Sequence, residues 1–269
     1  MKKRRNWYLT LGLALTIFML AFIIVGFFYT PYDPAAVSGA DKFAPPSIRH
    51  LFGCDHMGRD MFSRTLEGAG STLVIALATV AVGLAGGFLL GAFTGYYGGI
   101  ADVILMRVSD VIAAFPSILL ALVIIAVTKP GKYTVILALG ILFMPSFARL
   151  TRGEFLKYRD REFIQAARLM GVTDLRIMFV HILPNTWPVL LSGLTIGFNN
   201  AVLAEASMSY LGIGVSATEP SLGYMLKDAQ GVLFTLPWCT IFPALVAVLL
   251  ILGVGLLGEG LRERMGGAA

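Results

Sequence analysis

Residues 68–101 read GAGSTLVIALATVAVGLAGGFLLGAFTGYYGGIA, thirty-four positions without one charged side chain. The hydrocarbon core of a bilayer is about 30 Å thick, and about 20 apolar helical residues cross it. No water is available there to pair backbone amides, so a crossing segment satisfies its own hydrogen bonds, most simply as a helix. The stretch is therefore predicted to be a membrane helix with residues to spare. Four of its glycines, Gly83, Gly87, Gly91 and Gly95, stand four apart and leave one helix face nearly bare backbone. In lipid no hydrophobic drive brings helices together, and small-residue stripes serve close packing instead. Here the stripe is assigned to packing, either within the chain or against a second membrane subunit.

The rest of the chain fits the same solvent. Of 269 residues, 57% are hydrophobic and 14% charged, with a mean hydropathy of +0.79, whereas soluble domains carry about 25% charged residues. The net charge of +5 comes without a basic stripe interleaved with aromatics. That argues against nucleic acid as a partner and suits loops facing an anionic leaflet. Two cysteines, Cys54 and Cys239, exclude a disulfide framework or a four-cysteine metal site and are expected to be free thiols.

Five more uncharged windows, at 9–28, 111–128, 133–148, 177–204 and 229–258, raise the expected number of spans to six. The first is too long for a signal-peptide core and no small-residue cleavage site follows it, so it is read as an uncleaved helix. The window at 133–148 is the shortest, and Pro145 interrupts it. Pro116, Pro145, Pro188 and Pro243 all fall in or near spans and imply kinks. With the N-terminus inside, 14 Lys and Arg fall on inner segments and seven on outer ones, which predicts two cytoplasmic termini. The expected organisation is a tip and first helix over 1–28, an external segment over 29–71, and a five-helix core over 72–265. Arg107 and Asp110, spaced i, i+3 at the inner end of the third span, can pair on one helix face and are read as anchoring that end.

The largest cytoplasmic loop, 151–183, is amphipathic. Phe163, Ala166, Ala167 and Met170 recur at helical spacing opposite Arg161, Glu162 and Arg168. Gly171 stands where a left-handed cap is wanted. Thr173 and Asp174 can open a second short helix, with Leu175, Met178, Phe179 and Ile182 on one face, and Pro184 ends it or starts the next. The residues leave two readings open: an interfacial helix on lipid headgroups, or a docking knob whose Ala166–Ala167 face admits a partner.

The segment QAARLMGVTDLRIMFVHILPN, from Gln165, resembles the Glu-Ala-Ala loop of bacterial ABC-importer permeases, with Ala166, Ala167, Gly171, Leu183 and Pro184 matching at the family spacing. Gln165 replaces the family Glu, and His181 an Ile. HLFGCDHMGRDMFSR, from His50, resembles the signature of the dipeptide, oligopeptide and nickel branch, with Cys54 in place of Thr. The resemblance runs from Tyr32 to Met265. It implies a six-helix, all-α permease of the type I (MetI-like) importer fold in the bacterial inner membrane. The implied partners are a homologous second permease, two cytoplasmic ATPase subunits and an external solute-binding protein. ATP and Mg would be bound by the ATPases and no cofactor by this chain. Gln165, Ala166, Ala167, Arg168, Gly171, Val172, Thr173, Asp174, Leu183 and Pro184 become the expected ATPase-coupling residues. The implied cargo is a short peptide, or nickel or its chelate.

The chain carries no energy-transducing chemistry of its own. Its only Gly-Lys pair, Gly131–Lys132, is followed by Tyr133 and has Ala126 where a phosphate-binding loop needs its first Gly. Signatures of serine hydrolases, zinc proteases and dithiol redox sites are likewise missing, so a transporter rather than an enzyme is expected. His50, Cys54, Asp55 and His56 cluster in sequence, but the branch signature accounts for them and no metal site is assigned. Glu205 closes the fifth uncharged window; a carboxylate at that depth faces a partner, cavity or pathway, or sits at the headgroup boundary, and it is the gate or pathway candidate. The rival class is an ATP-independent transporter or channel, for which intramembrane carboxylates and inverted repeats are the signs.

Overall fold

A computed structural model describes residues 6–128, 130–215 and 219–266. The described chain is helical: α1 (Trp7–Phe28), α2 (Met61–Tyr97), α3 (Gly99–Ala114), α4 (Ser117–Thr128), α5 (Lys132–Arg159), α6 (Glu162–Leu169), α7 (Asp174–Arg176), α8 (Leu183–Leu211), α9 (Leu222–Asp228) and α10 (Trp238–Gly266). A π-helical stretch, Ile177–Ile182, joins α7 to α8. Five helices are long and apolar enough to cross a membrane, or six if α3 and α4 form one broken span. That pair departs from the straight third span expected from 111–128, because it bends by 90° at Phe115–Pro116. Pro116 disfavours helical backbone at the residue before it, and Phe115 sits extended at φ −81°, ψ 140°.

The glycine stripe of α2 packs within the chain. A Cβ on Gly83 would stand 3.0 Å from the Phe143 Cβ, on Gly87 2.5 Å from the Phe147 Cβ, and on Gly95 2.7 Å from the Phe155 Cβ. On Gly91 it would collide with the Ala148 carbonyl oxygen. Thus α5 lies on bare backbone along three turns of α2, and it runs unbroken through Pro145 for 28 residues. Around this pair a core of Met19, Ile23, Val80, Phe147, Phe198 and Leu250 joins α1, α2, α5, α8 and α10. At the start of α1, Asn6 caps Leu9 N–H and donates to the Gly260 carbonyl at 2.9 Å, tying α1 to α10.

Arg107 and Asp110 do not pair as the spacing suggested. Asp110 instead accepts from Arg149 of α5 at 3.4 Å, and Asp102 takes both Arg152 Nε and Nη2 at 2.5 and 2.7 Å. An exposed i, i+3 contact is worth only about 0.2–0.5 kcal/mol, so Asp110 is readily taken by a cation of the neighbouring helix.

At the far end of the bundle from the 160–182 loop, the branch signature becomes a scaffold. Gly53 and Gly58 adopt φ of 70° and 80°. The Asp60 carboxylate caps α2 by accepting Ser63 N–H at 2.8 Å and meets His50 Nδ1 at 2.8 Å. Arg59 donates to Asp55 and to Asp228 of α9, both at 2.6 Å. Trp238 Nε1 donates to the Cys54 carbonyl at 3.1 Å. The ligand atoms of His50, Cys54 and Asp60, and of Asp55, His56 and Asp228, lie within 4.8 Å of one another. The carboxylates in both groups already hold protein partners. Both cysteines are free and buried, and burial with Asp60, Asp41 and Asp55 nearby pushes the Cys54 thiol up to about 11, so it stays protonated at neutral pH.

Candidate functional site

The loop between α5 and α8 folds into a short helical knob. Helix α5 continues to Arg159, past the start of the expected loop, and Arg161 then turns the chain into α6. Gln165 Nε2 donates to the Asp160 carbonyl at 3.1 Å. A glutamate there would have no proton to give once ionised, so the family departure has a structural use. The C-terminus of α6 is a full Schellman closure: Val172 N–H reaches the Ala167 carbonyl at 3.1 Å and Gly171 N–H the Arg168 carbonyl at 2.9 Å. Gly171 has φ 78°, which only glycine adopts without strain. Val172 completes the motif by packing with Ala167 in one apolar cluster.

Thr173 occupies the next N-cap position, though its side chain makes no capping bond. After Asp174–Arg176 the helix widens, and Leu183 N–H bonds Met178, five residues back. Pro184 lacks an N–H and its ring crowds the carbonyl four residues earlier, and a π register at that point relieves the conflict. Pro184 therefore neither ends nor restarts a helix: residues Asp174–Leu211 run on as one 38-residue rod.

Which face is buried differs from the sequence expectation. Ile164 and Ala167 point inward, while Ala166 and Gln165 are exposed with Phe163 and Met170. The Ala–Ala pair is thus split, one against the protein and one on the surface. In the second segment Ile177, Met178 and Ile182 are buried, and Leu175 and Phe179 are not. The buried set packs with Tyr96 and Phe155 at the ends of α2 and α5. The tip is apolar and open: Leu169 is 90% exposed and Met170 77%.

No motif or spacing marks Tyr96, yet it touches both halves of the knob. Its hydroxyl donates to Asp174 Oδ1 at 2.6 Å, while the Arg168 guanidinium lies 5.2 Å from its ring centroid. The only local sign is the aromatic pair Tyr96–Tyr97 closing the glycine stripe. The knob is therefore pinned to the last turn of α2, whose packed face runs the length of α5.

Glu205, at the other end of α8, is completely buried. Its carboxylate accepts from Ser209 Oγ at 2.7 Å and Thr72 Oγ1 at 3.1 Å, with the Ser221 hydroxyl as a further donor. Thr72 Oγ1 in turn accepts Leu222 N–H at 3.2 Å, and Ser209 Oγ accepts Val215 N–H at 3.3 Å. The result is a closed tie between α2, α8 and α9. Glu205 lines none of the described cavities; one of about 270 Å3 lies farther along α8, between Phe147 and Leu150 of α5 and Gly193 and Asn200 of α8.

The geometry is thus a short helical knob at one end of a long membrane helix. A family model for the inner membrane component of binding-protein-dependent transport systems matches residues 87–266, and so takes in the whole knob. The chain belongs to that family. The dipeptide transport system permease protein DppC of Alkalihalophilus pseudofirmus is 36% identical over 252 residues, 93% of this chain and 83% of that protein. The glutathione transport system permease protein GsiD of Pectobacterium atrosepticum is 37% identical over 94% of this chain and 86% of its own length. An inward-facing structure of the MetNI methionine ABC transporter superposes with a TM-score of 0.64 at 21% identity, over 76% of this chain and 97% of that one. The fold is therefore that of this permease class. This permease is an ABC-importer subunit of the bacterial inner membrane and not an enzyme; ATP hydrolysis belongs to a separate subunit.

Proposed function

We propose that this permease imports short peptides, of the dipeptide, tripeptide or glutathione type, and that a partner ATPase drives it by gripping the knob Glu162–Leu169 and the segment following it. The observation that carries this reading is the combination of an apolar, exposed tip at Leu169 and Met170 with a clamped base at Tyr96. A tip that projects without cover exposes hydrophobic area, and a rigid base passes displacement into α8 and α2 rather than absorbing it. An external solute-binding protein hands over the cargo, and a homologous permease completes the pathway. ATP and Mg are bound by two ATPase subunits on the cytoplasmic side, where both termini of this chain also lie. Peptide is favoured over nickel because the relatives named above, and a further one from Pseudomonas aeruginosa at 35% identity, carry dipeptide, di/tripeptide or glutathione in their names. Alternating access is then a shift between two packings of the same helices. Glu205 enters as the tie that holds α8 to α9 in one of them.

Gly171 isolates the knob from everything else, since a Cβ there meets nothing within 4 Å and only the backbone is strained. Valine at φ 78° costs about 1–2 kcal/mol, enough to lower the docking-competent population about tenfold. The test is to purify tagged wild-type and Gly171→Val chains from native membranes in mild detergent and quantify companions by mass spectrometry. The wild type should carry a second permease and P-loop ATPases, and the variant should keep the permease but lose most of the ATPase. Equal ATPase in both samples, or none with the wild type, would overturn the coupling role.

A further inference from the structure

A second built site lies at the opposite end of the bundle from the knob. A cavity of about 590 Å3 opens between the last turn of α1 and the first turns of α2, lined by Phe27, Asp33, Arg64, Leu66, Glu67 and Gly70 among others. Its floor is apolar. The Phe27 ring covers Gly70, where a Cβ would stand 3.2 Å from a ring carbon, and Gly26 backs onto Leu66. Its wall holds Arg64, which is only 4% exposed. Among the described residues this guanidinium makes one hydrogen bond, from Nη1 to the Pro34 carbonyl at 3.2 Å, and no carboxylate stands within ion-pairing distance. Neighbouring Arg59 is the contrast, with Asp55 and Asp228 both in place at 2.6 Å.

A guanidinium stays charged and offers five donors, and burying it without an anion is costly. Asp55, Asp228 and Glu67 act on it only through space, and the contacting partner that its free donors lack is an anion that can enter from the cavity. Three further charges line the cavity: Arg59, already paired with Asp55 and Asp228, and the exposed Asp33 and Glu67, neither of which holds a cation among the described residues. Depth narrows the ligand. The apolar run of α1 ends at Phe28, and the uncharged stretch of α2 begins one residue after Glu67. The cavity therefore sits where both helices leave hydrocarbon for headgroups.

We infer that this cavity binds the headgroup of a zwitterionic phospholipid bearing a primary ammonium. The phosphate takes the free donors of Arg64, the ammonium faces Glu67 and Asp33, and the acyl chains run over Phe27 and Leu66. Arginine suits phosphate because its planar fork matches two oxygens. A choline headgroup has no N–H for the carboxylates, and a glycerol headgroup has no cation. The site does not depend on what the permease transports.

Native mass spectrometry of the full complex is the test, after exchange into equal parts of phosphatidylethanolamine, phosphatidylcholine and phosphatidylglycerol with matched acyl chains. The wild type should retain phosphatidylethanolamine about tenfold over the other two, an advantage of about 1.4 kcal/mol. Arg64→Gln should reduce all three to one low level. Glu67→Gln, on the exposed rim where folding is not at stake, should remove the preference for phosphatidylethanolamine over phosphatidylglycerol while keeping retention itself. Wild-type lipid profiles in the Glu67→Gln chain would overturn the assignment even if Arg64→Gln fails to fold. So would stripping of the bound lipid by millimolar inorganic phosphate, which would mark a free-anion site. Displacement by a dipeptide would mark a cargo subsite and would also overturn it.

Discussion

Gly91→Leu is expected to lower the apparent unfolding midpoint of the purified permease by about 6–12 °C, the size of a 3 kcal/mol overpacking penalty in a chain of this length. The contact behind the number is backbone on backbone. A Cβ at 91 falls on the Ala148 carbonyl oxygen and lies 2.8 Å from the Thr151 Cβ, and Thr151 is completely buried. No rotamer change can move a carbonyl of α5 that is itself bonded within its helix, so α2 and α5 have to separate. Separation also loosens Tyr96 and Phe155 one turn beyond, and with them the base of the knob. Gly153→Leu is the matched control on α5, because nothing lies within 4 Å of a Cβ there. It should leave the midpoint within about 2 °C, in the range of ordinary surface changes. A midpoint for Gly91→Leu as high as the control would show that the two helices are not in contact along this stripe.

Glu205→Leu should unfasten α9. Removing the carboxylate leaves the hydroxyls of Thr72, Ser209 and Ser221 without their acceptor in a site closed to water. A buried polar group left unpaired costs about 1–3 kcal/mol, so three such losses amount to about 3 kcal/mol even at the low end of that range. Amide exchange over Leu222–Asp228 should then rise about a hundredfold, since 1.4 kcal/mol is about tenfold. Glu205→Gln keeps the shape and one oxygen acceptor, so its exchange should rise about tenfold or less. Unchanged exchange in Glu205→Leu would mean that the tie contributes nothing to holding α9 on α8.

Much of this molecule is written locally. The uncharged windows give the membrane helices, because hydrocarbon imposes one rule on every residue it touches. The four-residue spacing of Gly83, Gly87, Gly91 and Gly95 gives a contact face, and α5 is what fills it. Gly171 gives its turn because a left-handed backbone has few alternatives to glycine. Direction is harder to read. Residues 111–128 look like one span because hydropathy has no sense of angle, yet Phe115–Pro116 turns the helix by 90°.

Sidedness on a short helix is equally elusive. Ala166 and Ala167 differ by about 100° on a helix, and only the three-residue step from Ile164 to Ala167 reveals which one faces the protein. Distant pairs are the least legible. Tyr96 and Asp174 are 78 positions apart, and Asp110 meets Arg149 across 39, so neither contact leaves a mark in local spacing. The branch signature from His50 to Arg64 is a third kind of case. Its residues are recognisable as a pattern, and the turn glycines and the Asp60 cap are local, but the ion-pair scaffold appears only when α9 and α10 are brought against them.

If the knob is a docking element and not a helix resting on lipid, its tip meets protein in the membrane. A photo-crosslinking amino acid placed at Leu169, the most exposed apolar position of the tip, tests it most directly when irradiated in native membranes. The expected product is an adduct with a P-loop ATPase, formed in a yield that changes when ATP is supplied or depleted. An adduct with phospholipid alone, unaffected by ATP, would contradict it.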